Sequence, residues 1–405
     1  MTFEIRTLTD DDLPRAVAIT RYSFNAPNHW DTSEELVERA RKANSPDWYL
    51  GTFEDGAMTS MMTMLPMEMY LNGAPIPFGA VSPVATAPEH RRKGHAGRML
   101  RRSLELMRDR GQVISGLTTP HPALYRRFGW EIAADRHTYA FSPKDLQLTS
   151  PPRQRGRIEM LATNDWSSLD EVHKAFAEQH NGPFRRTGHE WEWRTLGLPW
   201  QPISDIVLWR NDDGVAEGYA LYNQPHEGEH RGEVVVIELV ANSADAYKNL
   251  ALFFATHDIL SKIVFPAATD DALPLLFGDT ERMEISSRFT VMLRVCDFEN
   301  AMRLRHAARE DEACEVTLRI EDPDAPWNAG IWRIGVAEGR SWAERDDGDA
   351  ELHADARMLG PLYNGYMKPS TAASAGLIEA SDDDALVRAD RIFSARKTPF
   401  FIDTF

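Results

Sequence analysis

Cysteine is almost missing from this 405-residue chain: it has Cys296 and Cys314, too few for a zinc site of their own and without the paired spacing of a redox motif. Structural thiols are expected, and no metal. Basic residues are also in deficit, 45 against 62 acidic ones for a formal net charge of −17, which argues against nucleic acid as a general partner. Such a balance serves solubility, and equally it draws cationic ligands at low salt, since physiological salt screens surface fields within about 8 Å. No apolar run is long enough to span a bilayer, and the first ten residues carry acids where a signal peptide needs a basic region. A cytoplasmic protein without membrane insertion is therefore expected. With 42% hydrophobic residues, the length suffices for two or three cores.

The opening segment reads strand, helix, helix. Phe3 to Leu8 is extended, Thr9 precedes a helix carrying Leu13, Ala16 and Val17, and Thr32-Ser33-Glu34-Glu35 has capping-box spacing. Asn72-Gly73, a pair suited to positive φ, joins two long strands, Met58 to Leu71 and Ile76 to Thr86. Proline, glycine and charge then cluster at Thr149-Ser-Pro-Pro-Arg-Gln-Arg-Gly156, which marks a linker. Beyond it the outline repeats: an extended Arg157 to Leu161, a helix from about Ser167 to Gln179, three strands, and a helix through Leu250 and Phe254. From about Thr290 a third, α+β unit begins with a strand Val291 to Val295. The domains are thus expected at 1–150, 151–289 and 290–405. The apolar ending, Pro399-Phe400-Phe401-Ile402-Asp403-Thr404-Phe405, is unlike a frayed tail and predicts a buried terminus.

Function is written in the stretch Val84 to Gly97. An apolar strand, Val84-Ala85-Thr86, runs into a turn with Arg91, Arg92, Lys93 and Gly94, then into a helix that starts with His95, Ala96 and Gly97. Small residues let backbone N–H groups approach an anion, the helix adds the positive end of its dipole, and three cations supply charge. This is a pyrophosphate cradle. The second half has Asn242 to Lys248 at the matching place, without glycine and with an acid where the anion would sit. That half is not expected to bind a pyrophosphate.

A strand, an Arg-x-x-Gly-x-Ala turn and a helix, in a unit that opens strand-helix-helix-strand, resemble the Gcn5-related N-acetyltransferase fold, whose motif binds acetyl-coenzyme A. Val-Ala-x-x-Pro-x-His-Arg-Arg-x-Gly in the cradle, Tyr125-Arg-Arg-Phe-Gly-Trp130 after it, and a final phenylalanine further resemble the enhanced intracellular survival (Eis) family over essentially the whole chain. The resemblance implies two tandem Gcn5-related acetyltransferase-like domains, the second degenerate, followed by a sterol-carrier-like domain, in an α+β and α/β architecture. It implies acetyl-coenzyme A as co-substrate, with Tyr125 as proton donor and the Phe405 carboxylate as proton acceptor. The acceptor would be a small-molecule amine such as an aminoglycoside, or a lysine, and the assembly a homo-hexamer.

Thr119-Pro120-His121-Pro122 departs from the smaller, glycine-bearing sequence common in the family. Pro120 and His121 are placed beside the coenzyme, where the approach to its sulfur is expected to differ. Phe24 and Trp30 fall between the first two helices, where this fold forms its acceptor mouth. His189-Glu190-Trp191-Glu192-Trp193 is no zinc-protease motif, because Trp193 stands where the second histidine belongs. Met58, Met61, Met62, Met64, Met67 and Met69 read as core or pocket lining. Trp327 and Trp332 line either a lipid groove or a core. The alternative function is a non-catalytic scaffold that binds coenzyme or lipid; a myristoyl-class acyltransferase is disfavoured by the sterol-carrier-like unit.

Overall fold

The computed structural model describes residues 2–26, 32–198, 201, 203–224, 232–308, 313–403 and 405. The first unit runs β1 (Phe3–Thr7), α1 (Leu13–Ser23), α2 (Glu34–Ala43), β2 (Tyr49–Glu54), β3 (Ala57–Leu71), β4 (Ala74–Thr86), α3 (His95–Asp109), β5 (Ile114–Leu117), α4 (Pro122–Arg126) and β6 (Glu131–Phe141). The second runs β7 (Arg157–Leu161), α5 (Ser167–Gln179), β8 (Asp205–Arg210), β9 (Ala216–Asn223), β10 (Glu233–Ala241), α6 (Ala244–Ala255), β11 (Lys262–Ala267), α7 (Leu273–Leu276) and β12 (Glu284–Val295). The third holds α8 (Phe298–Leu304), β13 (Cys314–Glu321), β14 (Gly330–Ala337), β15 (Arg340–Asp346), β16 (Leu352–Asp355), α9 (Ala356–Tyr363), α10 (Pro369–Ser374), β17 (Ile378–Ala380) and α11 (Asp383–Ile392).

Twelve strands form one sheet, ordered β1-β2-β3-β4-β5-β12-β6-β11-β10-β9-β8-β7. The halves exchange strands: β12 lies antiparallel between β5 and β6 of the first unit, and β6 in turn pairs β11 of the second. The expected third-domain strand Val291 to Val295 is therefore the end of β12, inside the large sheet, and the 289/290 division falls within it. Tertiary pairing decides this, because β5 and β6 would otherwise present unpaired backbone edges to each other.

The six methionines of β3 are all buried, on both faces, because helices cover the sheet on each side. Between β3 and β4, Asn72 and Gly73 adopt φ of +51° and +84°, as their sequence predicts. One face of the first unit packs against α3 and α4 around Met64, Val81, Leu100 and Tyr125. The other meets the third unit, whose separate sheet is ordered β15-β14-β13-β16-β17. Here Leu71, Ile76 and Phe78 share a core with Trp332, Leu359 and Tyr363. Trp332 is therefore core, while Trp327 is half-buried and donates its indole N–H to the Cys296 carbonyl at 2.7 Å. No helix among the described residues is long and apolar enough to cross a membrane.

A buried ion pair ties the first and third units together. The Arg294 guanidinium, at the end of β12, donates two hydrogen bonds to Asp322 at 2.6 and 2.7 Å and one each to the carbonyls of Phe128 and Val295. Neither ionic side chain is exposed. Removing one member strands the other's charge, so Asp322→Ala is expected to cost about 3–5 kcal/mol. Replacing both with apolar residues, as Arg294→Met with Asp322→Leu, should recover part of that loss in thermal unfolding. A single variant as stable as the parent would contradict this.

Candidate active site

The site begins where β5 leaves β4. The two are parallel and paired at Phe78, Gly79 and Ala80; beyond Ala80, β4 keeps β3 on one edge and has no strand on the other among the described residues. Residues 81–86 thus offer a free backbone edge, which an extended ligand can pair as a strand would. Val84 and Thr86 are half-buried there, and Ala85 packs beneath against α1.

The cradle follows directly. Arg91 N–H donates to Pro88 O at 3.4 Å and Arg98 N–H to Gly94 O at 3.1 Å; the six N–H groups of residues 92–97 between them reach no backbone acceptor among the described residues. Arg92 has φ +62° and Gly94 φ +82°, and left-handed residues in such alternation turn successive amides to one side as an anion-binding nest. A Cβ at Gly94 would meet nothing within 4 Å, so the space over the turn is open. Gly97 has a different reason: its Cβ would sit 2.8 Å from Phe128 Cζ, so glycine lets α3 close onto the Tyr125 segment.

The charged side chains divide their work. Arg92 and Lys93 are exposed and pair with no carboxylate among the described residues, which leaves their charge to a ligand. Arg91 lies over the Tyr22 ring at 5.3 Å and donates to Thr86 O at 3.3 Å, bracing the turn. His95 contributes only its N–H, because its ring is buried against Phe3 at 5.7 Å, with Nε2 3.5 Å from Glu54. Burial pulls the His95 pKa down, although Glu54 opposes this. Glu54 also pairs with His90 at 3.1 Å, and these three side chains are close enough to hold a metal ion.

Tyr125 sits on α4, buried with Val81, Met64, Leu117 and Phe128. Burial pushes its phenol up to about 12, so it is protonated across the physiological range. Pro120 and His121 are exposed just before α4, with His121 N–H donating to Thr119 Oγ1 at 3.0 Å. Phe24, at the end of α1, is 64% exposed; Trp30 lies outside the described residues.

The terminus comes to β4 from the other face. The Phe405 ring stands edge-on to Phe78 of β4 at 6.0 Å and to Phe184 at 5.6 Å. Phe78 precedes by two residues the point where β5 leaves, and Val81, beneath Tyr125, follows it by one. The opening in the sheet thus has Tyr125 near one face and Phe405 near the other.

Sequence reasoning missed what holds that terminus. Asp403 accepts from Arg186 Nε at 2.7 Å and from the Phe184 N–H at 2.9 Å, and Arg186 also donates to Glu238 at 3.0 and 2.6 Å. Burial lowers the Arg186 pKa, but Asp403 and Glu238 outweigh it and raise it well above the usual value. Asn181 accepts from the Phe400 N–H at 2.8 Å and donates to Lys397 O at 2.7 Å. One signal was present: Asp403 is the sole charged side chain in the last seven residues, and a charge in a buried apolar segment requires a partner.

Family models of the acetyltransferase (GNAT) domain match residues 4–133 and 182–295, and that of the sterol carrier protein domain matches 298–402. An uncharacterized N-acetyltransferase of Streptomyces avermitilis is 27% identical over 99% of both chains. N-acetyltransferase Eis of Mycobacterium tuberculosis is 25% identical over 98% of both. Among solved structures, a GCN5-related N-acetyltransferase from Anabaena variabilis superposes with TM-score 0.88 at 21% identity, covering all of both chains. Eis1 from Mycobacterium abscessus does so with TM-score 0.84 at 24% identity, again over all of both.

Gly94→Val puts a β-branched residue at positive φ and fills the open space over the nest. Calorimetry should show at least a tenfold weaker acetyl-coenzyme A complex. Unchanged affinity would remove the nest from the binding site.

Proposed function

We infer that this protein is an Eis-type member of the GCN5-related N-acetyltransferases, because it matches two GNAT domains and a sterol carrier protein domain and aligns over 98% of its length with N-acetyltransferase Eis. From that premise we propose that it acetylates a primary amine of a cationic acceptor, an aminoglycoside-like polyamine or a protein lysine, by direct transfer from acetyl-coenzyme A. The observation that carries this reading is the run of amides at residues 92–97 that reach no backbone acceptor among the described residues, opening off the free edge of β4 beside the Tyr125 core.

Acetyl-coenzyme A supplies an activated acetyl thioester, and the chain's own groups do the rest. The nest amides with Arg92 and Lys93 hold the pyrophosphate, and residues 84–86 give main-chain groups to the pantetheine arm. Tyr125 retains its proton up to about pH 12 and delivers it to the departing sulfur. An α-carboxyl group has an ordinary pKa of about 3.3–3.7, so the Phe405 carboxylate is anionic, holds the acceptor's ammonium group and takes its proton. A carbon–nitrogen bond forms as the carbon–sulfur bond breaks, with no acyl-enzyme needed. Cys296 is unsuited to carry one: burial pushes its thiol up to about 12.

The net charge of −17 supports a cationic acceptor. By family resemblance the working assembly is read as a homo-hexamer.

Coenzyme A thiol should be released with aminoglycosides or lysine peptides as acceptors, and silence across a broad amine panel would overturn the acceptor class. Tyr125→Phe should lower kcat by about 10²–10⁴ while leaving the KM for acetyl-coenzyme A nearly unchanged. A fully active Tyr125→Phe would reassign the acid. One glycine added after Phe405 moves the carboxylate by about 3.5 Å and should abolish turnover with coenzyme affinity intact; full activity would discard the base.

A further inference from the structure

The second unit repeats the first strand for strand, and it repeats the opening. As β4 pairs β5 over three residues and then departs, β10 pairs β11 in parallel at Glu233, Val234 and Val235 and then departs. As β4 slips register against β3 between Met62 and Met64, β10 slips against β9 between Val236 and Glu238. Glu238 therefore occupies the place in the second unit that residues 81–86 occupy in the first.

There the likeness stops. The helix after β10 begins with a capped donor, Ser243 accepting from Ala246 N–H at 3.1 Å, and its Asp245 carboxylate accepts from the Arg153 and Gln154 N–H groups. Beside Glu238, on the side of β10 that packs against α5, Arg186 lies with its face over the Trp191 ring at 4.4 Å, donating to Glu238 and to Asp403, and Ile402 lines the same small cavity. The Tyr219 hydroxyl donates to Glu238, and His173 bridges Tyr219 and the Phe184 carbonyl. Burial pushes Glu238 upward, and Arg186 more than reverses it, so the carboxylate is ionised.

We propose that Asp403, locked against the second unit by Arg186 and Glu238 beside the departing end of β10, is the positioning residue that sets where the Phe405 carboxylate lies. This rests on the reading of that carboxylate as the proton acceptor. Asp403 has both oxygens engaged, one by Arg186 and one by the Phe184 N–H. Phe405 follows two residues later, so its Cα stays within about 7 Å of that of Asp403. The same loop supplies Phe184, one of the two rings that seat Phe405. The second unit thus serves its neighbour, because its Arg186–Glu238 pair grips the tail that completes the other site. A misplacement of about 1 Å at a reacting group can cost about 10²-fold in rate, so a loosened latch reads out in turnover before it reads out in folding.

The test compares the full chain, Asp403→Ala, Asp403→Asn and a chain lacking Phe405. Asp403→Ala leaves the Arg186–Glu238 pair in place. It should lower kcat about 10–100-fold, keep the KM for acetyl-coenzyme A within twofold, and raise amide exchange at residues 397–405 with the rest unchanged. Should Asp403→Ala fail to fold, Asp403→Asn, which keeps the side chain's volume but not its charge, must show the same split. An unaltered kcat in the Asp403 variants beside an inactive chain lacking Phe405 overturns the latch and leaves the proton acceptor standing. Full activity without Phe405 overturns the proton acceptor instead, and the latch's purpose with it.

Discussion

Strand β12 is the constraint on which the rest depends. It is covalently part of the second half, yet its backbone is hydrogen-bonded on both edges to the first, along β5 at Ile114 to Leu117 and along β6 at Glu131 to Ala140. With β6 also pairing β11, neither half can close its sheet alone. The exchange has a consequence at the site. Arg294, near the end of β12, holds the Phe128 carbonyl, and with it the segment that carries Tyr125. It also holds Asp322 of the third unit, so one side chain links all three units beside the opening near Tyr125.

The two halves show one topological opening put to opposite uses. Two parallel strands that pair briefly and part leave backbone edge and volume between them. In the first unit that space leads to a turn whose amides reach no backbone acceptor, and whose Arg92 and Lys93 pair with no carboxylate, among the described residues. In the second, an arginine between two carboxylates sits beside the departing strand. Burying such charges costs several kcal/mol per ion unless every donor finds a partner, and here Arg186 finds three acceptor oxygens.

Local features were legible in the sequence. The helix Ser167–Gln179 follows from its spacing, the Asn72-Gly73 turn from its φ preference, and the left-handed turn within Arg91 to Gly97 from its glycine. Illegible were the pairings over long sequence distance. Nothing within β12 says that it pairs β5, far earlier in the chain, and nothing near Asp403 names Arg186. Gly97 was legible as a position needing glycine but for an incomplete reason, since its neighbour Phe128 comes from another element. The role of Phe405 came from family resemblance, because no spacing rule marks a terminal carboxylate.

The most direct measurement is a crystal structure of the protein with coenzyme A bound. The account predicts pyrophosphate oxygens within about 3.2 Å of backbone nitrogens among residues 92–97, and the thiol reaching the opening between β4 and β5 near the Tyr125 hydroxyl. A pyrophosphate lodged at the start of the helix after β10, or a thiol far from Tyr125, would contradict it.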